Sequence, residues 1–395
     1  MAMRIALYHP WTYLRGGIER TLLELVKRSR HDWTLFTSRY DPEGTFPGFK
    51  DLRIERLGEV PVKRNTLSVA RACLQVALSG RDWSRYDALM VSNDGISNLL
   101  ALRSSGAPLL SLCHTPLKVA HDEKTRARWL AVRKPGFATR AAVSLFAALD
   151  RPLWRRYQHI FCVSGEVERR LLRSGLARQD QTEVVHPGVD AERLAPSGRR
   201  EPFFLVPGRI MWTKNIELAI EAFLDLKLRA PATRDYRLVI AGMVDEKSRP
   251  YLKMLRELSL GRGDIEFVVR PSDEELFDLY DRCFAVLFTP PNEDWGIVPL
   301  EAMAAGKPVV SVASGGPQES IADGETGFLV PSLANKFTDA MERLTREPEL
   351  YQRMSAAGPD RARLFSWGAF VGRIDSYIDG LAEPEKGGVP ALVRG

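Results

Sequence analysis

The stretch Pro290-Pro-Asn-Glu-Asp-Trp-Gly-Ile-Val-Pro-Leu-Glu301 decides how the chain is read. It follows an apolar run, Cys283 to Thr289, with the length and bounds of a buried strand. It leads into a helical segment, Leu300 to Ala305, with Pro299 suited to a first helical turn. Glu293 falls in the loop and Glu301 in the helix. Between them Gly296, Ile297 and Val298 lie where free backbone N–H groups point out of a helix N-terminus, a place that favours an anion such as a phosphate. Carboxylates would repel that phosphate. They make sense as partners of neutral hydroxyls on either side of it, on a sugar and on a ribose. Taken alone, the stretch is equally well described as a strand-to-helix loop with two solvated acids.

The chain is long enough, at 395 residues, for roughly two to three domains of about 150 residues each. A hydrophobic share of 45% and a charged share of 27% place it among soluble globular proteins. Cys73, Cys113, Cys162 and Cys283 show no paired or zinc-like spacing, and three of them lie in apolar runs, as small buried side chains in a reducing compartment do. The first residues run directly into a strand without a secretory signal, and no apolar run approaches the ~18 residues that span a bilayer. The expected location is the cytoplasm, or the cytosolic face of a membrane.

The charge is uneven. Residues 1–195 carry 31 Lys+Arg against 20 Asp+Glu, a net of +11, whereas the remainder nets −5. Between Lys118 and Arg178 there are 14 basic and 5 acidic residues. Large apolar side chains are interleaved there, among them Trp129, Phe137, Leu145, Phe146, Leu153 and Trp154. Basic and aromatic residues together suit a peripheral contact with anionic lipid headgroups. Packing of the apolar residues on a sheet, with the arginines facing water, accounts for the pattern slightly better; the arginines alone could still make an electrostatic contact.

Strand candidates alternate with helical segments through both halves. The first half has strands at Arg4–Tyr8, Trp33–Thr37, Leu52–Leu57, Ala88–Ser92, Pro108–Cys113, His159–Val163 and Glu183–Val185, with helices at 18–29 and 65–78 among others. The second has strands at Phe203–Val206, Arg237–Ala241, Ile265–Val269, Cys283–Phe288, Pro308–Val312 and Gly327–Val330. The alternation predicts two α/β, doubly wound, mostly parallel domains, in which ligands bind beyond the carboxyl ends of the strands. The expected boundaries are 1–195 and 196–365, with a linker at Pro196–Pro202. A last helix spans about 366–382, and 383–395 is a loose tail.

Several residues fall at such carboxyl ends. Gly16-Gly17 ends the loop after the first strand, allowing close approach of a ligand or simply a tight turn; the strict Gly-x-Gly-x-x-Gly fingerprint of nicotinamide and flavin enzymes is absent. His114 follows the strand Pro108–Cys113. Arg209 and Lys214, five apart in Gly208-Arg-Ile-Met-Trp-Thr-Lys-Asn215, are suited to clamp a diphosphate before a helix, or form a charged loop. Ser314-Gly-Gly-Pro-Gln-Glu319 and Asp323-Gly-Glu-Thr-Gly327 are glycine turns further on.

The order Gly-Gly, Gly-Arg-x4-Lys-Asn, Glu-x7-Glu, Gly-Gly-Pro-x-Glu, Asp-Gly-x-Thr-Gly resembles glycosyltransferase family 4, retaining enzymes of the GT-B fold that include bacterial O-antigen and polysaccharide mannosyltransferases. The resemblance implies two Rossmann-like domains facing across a cleft, with the last helix crossing back to the first domain. It implies transfer of a hexose, of mannose or glucose type, from a GDP- or UDP-sugar to a glycan acceptor that is lipid-linked or a polysaccharide. By the same resemblance Arg209 and Lys214 hold the diphosphate, Glu301 the ribose and Glu293 the transferred sugar. Gly296, Ile297 and Val298 give backbone contacts, and Gly16 and Gly17 approach the diphosphate. His114 is the active-site histidine, and Arg270, where the family usually has glycine, lies near the nucleobase. No Asp-x-Asp motif occurs, so a bound metal is not required, and no other cofactor is expected. A nucleotide-sugar epimerase of the same fold is the alternative enzyme. A basic nucleic-acid or anionic-surface binding protein is the alternative without catalysis; no nucleic-acid module is recognisable, so no nucleic-acid partner is expected.

Overall fold

The computed structural model describes residues 1–58, 71, 74–76, 78, 83–94, 96–103, 106–259 and 262–382. Most of the helix expected over 65–78 and the tail 383–395 lie outside the described residues. The chain forms two units. One comprises 1–162, 167–185 and the chain from Phe370 onward; the other comprises 163–166 and 186–369.

In the first unit seven strands form one parallel sheet: β1 (Arg4–Tyr8), β2 (Asp32–Thr37), β3 (Ile54–Arg56), β4 (Ala88–Asp94), β5 (Leu109–Thr115), β6 (His159–Cys162) and β7 (Thr182–Val184). Their order is β3-β2-β1-β4-β5-β6-β7. The winding therefore reverses between β1 and β4, which defines a switch point at their carboxyl ends. Ile5, Leu7, Leu35, Leu89, Leu110 and Phe161 are fully buried, the near-continuous apolar pattern of strands covered on both faces. Helix α1 (Gly17–Arg28) buries Leu22, Leu23 and Leu25. A late helix, Trp367–Ala382, is fastened to this unit from Phe370 on. Its buried Asp375 accepts hydrogen bonds from Ser29 Oγ at 2.5 Å and the Arg30 amide at 3.1 Å, and Tyr377 stacks on His159 with centroids 4.1 Å apart.

The second unit has six parallel strands: β8 (Phe203–Pro207), β9 (Arg237–Gly242), β10 (Ile265–Val269), β11 (Ala285–Phe288), β12 (Val309–Val312) and β13 (Gly327–Val330). They run in the order β10-β9-β8-β11-β12-β13, and the winding reverses between β8 and β11. One core joins Phe204, Leu238 and Leu287 from the sheet to Phe223 of α2 (Ile216–Arg229) and to Phe337 and Met341 of α3 (Ala334–Arg346). Among the described residues no helix is long and apolar enough to cross a membrane.

His9, directly after β1, is 2% exposed. Burial holds its imidazole pKa down at about 4, from an ordinary 6.5, against hydrogen bonds at Ser92 and Trp11 that favour the charged ring. A neutral buried ring stabilises the fold fully above pH 6.5, and that stability is lost as pH falls from 6.5 towards about 4, where the unfolded chain alone takes up the proton. Urea unfolding of the first unit should therefore show a midpoint that drops over this window, and His9→Gln should flatten the slope there.

Candidate active site

The reversal of winding in the second unit brings two loops side by side. One leaves β8 through Gly208, Arg209 and Lys214 and enters α2; the other leaves β11 through Thr289 and Glu293 and enters helix α4 (Ile297–Ala304). The loops are tied together. Thr289 Oγ1 donates to the Lys214 carbonyl at 2.7 Å, and Lys214 Nζ donates to Glu293 Oε2 at 2.8 Å. Both charged side chains are about a quarter exposed, at 23% and 22%. Arg209 is exposed on the same loop and makes no ion pair among the described residues. Lys214 and Glu293 are thus brought into contact with each other, where separate roles on phosphate and sugar were expected.

Gly296 caps α4 with a φ of 86°, and a Cβ there would come within 3.1 Å of Phe288 Cζ. The positive φ favours glycine, and a side chain would also need Phe288 to give way by a few tenths of an ångström. Ile297 and Val298 open the helix, half-buried, ahead of the Leu300 start expected from the sequence. Their backbone N–H groups are among those that a helix start leaves without an intrahelical acceptor. The loop is braced from β12. Ser314 Oγ accepts from the Asn292 amide at 2.8 Å, and the Gly316 amide donates to the Glu293 carbonyl at 3.1 Å. A Cβ on Gly315 would fall 2.0 Å from that carbonyl oxygen, so only glycine lets the two backbones meet.

Glu301, in the second turn of α4, accepts from the Tyr280 hydroxyl at 2.7 Å. Tyr280 is fully buried. Burial, then the charge of Glu301 and the hydrogen bond to it, push the phenol well above its ordinary pKa. It remains protonated and fixes the carboxylate's orientation. Nothing in the amphipathic helix Asp273–Arg282 marked Tyr280 in advance. Glu319 serves a different purpose. Its carboxylate accepts from the amides of Gly165 and Glu166 at 2.8 and 2.9 Å and from His186 Nε2 at 2.9 Å. Burial raises its pKa, but the His186 bond and the two amides outweigh that and leave it below the usual range. The Asp323–Gly327 motif is turn chemistry: Asp323 Oδ1 accepts from the Leu329 amide and Thr326 Oγ1 from the Ala322 amide.

Arg270, exposed after β10, has a φ of +61°. That conformation explains why glycine would be at home here, and arginine holds it at a cost of about 1–2 kcal/mol. Gly16, Gly17 and His114 belong to the first unit. Gly16 caps α1 and Gly17 begins it. His114 lies inside β5 rather than after it. Asn93 pairs with Cys113 and Asp94 with Thr115, so His114 is the extra residue of a β-bulge, 6% exposed. A bulge of this kind re-aims a side chain, and the sequence carries no signal for it.

Residues 15–193 match the family model of Glycosyltransferase Family 4, and residues 192–361 match that of Glycosyl transferases group 1. The chain is 37% identical over 200 residues to alpha-1,3/1,6-mannosyltransferase ALG2 of Homo sapiens, covering 48% of this chain and 47% of the human protein. It thus spans about half the length of that relative. With ALG2 of Dictyostelium discoideum it is 29% identical over 424 residues, covering 96% of this chain and 98% of the relative. Among solved structures, Anabaena HepE in complex with UDP and glucose superimposes with a TM-score of 0.74 at 18% identity, over 95% of this chain and 99% of that one. This likeness shows the fold, GT-B.

Two positive-φ positions should respond oppositely to substitution. Gly315→Ala, with φ +72° and no room for a Cβ, should destabilise the second unit by about 2–4 kcal/mol. Arg270→Gly should leave stability unchanged or raise it by up to about 1 kcal/mol, because the relief of strain exceeds the entropy of glycine. Chemical denaturation of both variants checks the pair.

Proposed function

The chain belongs to glycosyltransferase family 4, and we propose that it moves a hexose from a nucleoside-diphosphate sugar to a glycan acceptor with retention of configuration. The observation that carries this reading is the contact of Lys214 with Glu293 beside the start of α4, at the switch point of the second unit. A cation, backbone N–H groups and an adjacent carboxylate are what a diphosphate next to a sugar requires. Arg209 and Lys214 hold the diphosphate. Glu293 positions the sugar hydroxyls, and Glu301, oriented by Tyr280, takes the ribose. Gly296, Ile297 and Val298 supply backbone contacts. Arg270 lies towards the nucleobase. The two similar ALG2 proteins are mannosyltransferases by name, which favours mannose over glucose.

In the reaction the bond from the anomeric carbon to the phosphate oxygen breaks, and the bond to the acceptor oxygen forms on the same face. The acceptor proton passes to the departing phosphate oxygen. The leaving group is stabilised by Arg209, Lys214 and the helix start, without a metal. The acceptor is lipid-linked or a polysaccharide, and the enzyme works at the cytosolic face of a membrane, with the basic 118–178 region towards anionic lipid.

Lys214 donates to Glu293, so a diphosphate competes with Glu293 for it. Glu293→Ala and Lys214→Ala should each lower kcat/KM for sugar transfer by about a hundredfold or more, with unchanged melting temperature. Full activity in both variants would sink the proposal. Glu293→Gln, lacking the competing charge, should bind GDP or UDP more tightly than the parent in calorimetry while transferring sugar more slowly.

A further inference from the structure

The helix Phe137–Trp154 of the first unit presents an unusual face to solvent. Phe137 is 86% exposed, Leu145 62% and Leu149 59%. Ala138, Ala141, Ala148 and Pro152 are exposed with them. At the helical advance of about 100° per residue, these seven positions fill one arc of about 120°, and none is polar. A surface helix of a globular protein ordinarily turns such a stripe to the core.

The opposite side of this helix is already satisfied. Asp150 is 1% exposed and accepts three hydrogen bonds, from Asn98 Nδ2 at 2.7 Å, His121 Nε2 at 2.8 Å and Trp154 Nε1 at 2.9 Å. Leu153 and Trp154 are buried, and Trp154 lies against Tyr157 with centroids 5.8 Å apart. The polar anchor points inward and the apolar stripe outward. Leu153 and Trp154 thus pack as expected from sequence; Phe137 and Leu145 do not.

The charge around the stripe narrows what covers it. Residues 123–156 hold nine Lys+Arg and two Asp+Glu, and one of those acids is the buried Asp150. Arg140 and Arg151 are exposed along one edge of the stripe. Lys134 is exposed just before the helix, and Arg155 and Arg156 just after it. A second copy of this chain would bring the same positive charge against this face. A surface of lipid phosphates would complement it and accept the apolar stripe beneath.

We propose that this face, Phe137, Leu145 and Leu149 bordered by Arg140 and Arg151, docks on an anionic lipid surface and inserts its apolar stripe at the headgroup level. The inference gives the peripheral location proposed above a specific contact surface, and adds apolar insertion to charge. Its test needs no sugar transfer, so it fails or stands independently of the catalytic proposal.

The full chain is sedimented at low salt with vesicles of phosphatidylcholine alone and with vesicles containing about one-third phosphatidylglycerol. Binding is expected to the second and not the first. The combined variant Phe137→Ser, Leu145→Ser and Leu149→Ser should lose binding by about tenfold or more, with the parent's melting temperature. Arg140→Gln with Arg151→Gln should weaken it and reduce its salt dependence. No binding by the parent to anionic vesicles, or undiminished binding by the triple-serine variant, overturns the proposal. So does a parent dimer that the triple-serine variant converts to a monomer, since the stripe would then join two copies of the chain.

Discussion

Where the winding of a parallel sheet reverses, the two adjacent strands send their following helices to opposite faces, and a gap is left above their carboxyl ends. In the second unit this gap lies between β8 and β11. The meeting of the two loops depends on it. Lys214 and Glu293 are 79 positions apart in the chain and meet only because Phe204 pairs with Ala285, and Leu205 with Val286, in parallel register. Thr289 then fixes the height of one loop against the other through the Lys214 carbonyl. Glycine completes the constraint from the far side, since the Ser314–Gly316 backbone crosses Glu293–Trp295 at distances no side chain could share.

The Lys214–Glu293 pair adds little to stability on this account. Ion pairs with access to water contribute only about 0.2–1 kcal/mol each. Such a pair is readily exchanged for another arrangement of the same charges. A diphosphate offers Lys214 more negative charge than a carboxylate does, and sugar hydroxyls offer Glu293 donors in return. The contact of Lys214 with Glu293 is therefore compatible with the separate roles assigned by motif, provided both partners are replaced together. That condition links phosphate binding to placement of the sugar.

The strands were legible because apolar runs bounded by polar turns are a local property. Each expected strand has a counterpart, displaced by at most a residue or two at its ends, and the alternation with helices led directly to a doubly wound fold. The spacing of Arg209, Lys214, Glu293 and Glu301 was equally local. What escaped was pairwise geometry. His114 looked like a residue beyond a strand, but the bulge that holds it exists only in the register of β4 against β5. Tyr280 is an ordinary buried aromatic until its hydroxyl is seen to reach Glu301. For the helix Phe137–Trp154, periodicity establishes that one side is apolar. Which side faces water was decided by Asp150, whose three donors come from 52 positions upstream, 29 positions upstream and one turn downstream.

Glu293, Glu301 and Glu319 show why residue type alone could not assign these roles. The first faces an ammonium, the second a phenol that burial keeps protonated, and the third two backbone amides and an imidazole. An ammonium can be drawn to a phosphate, leaving its carboxylate available to a ligand. A phenol occupies one oxygen and orients the group. Backbone amides belong to the fold, and a carboxylate that holds two of them with a depressed pKa is committed to structure. The partner chemistry thus fits the proposed roles of Glu293 in exchange with a ligand and Glu301 in an oriented contact, and places Glu319 in the scaffold.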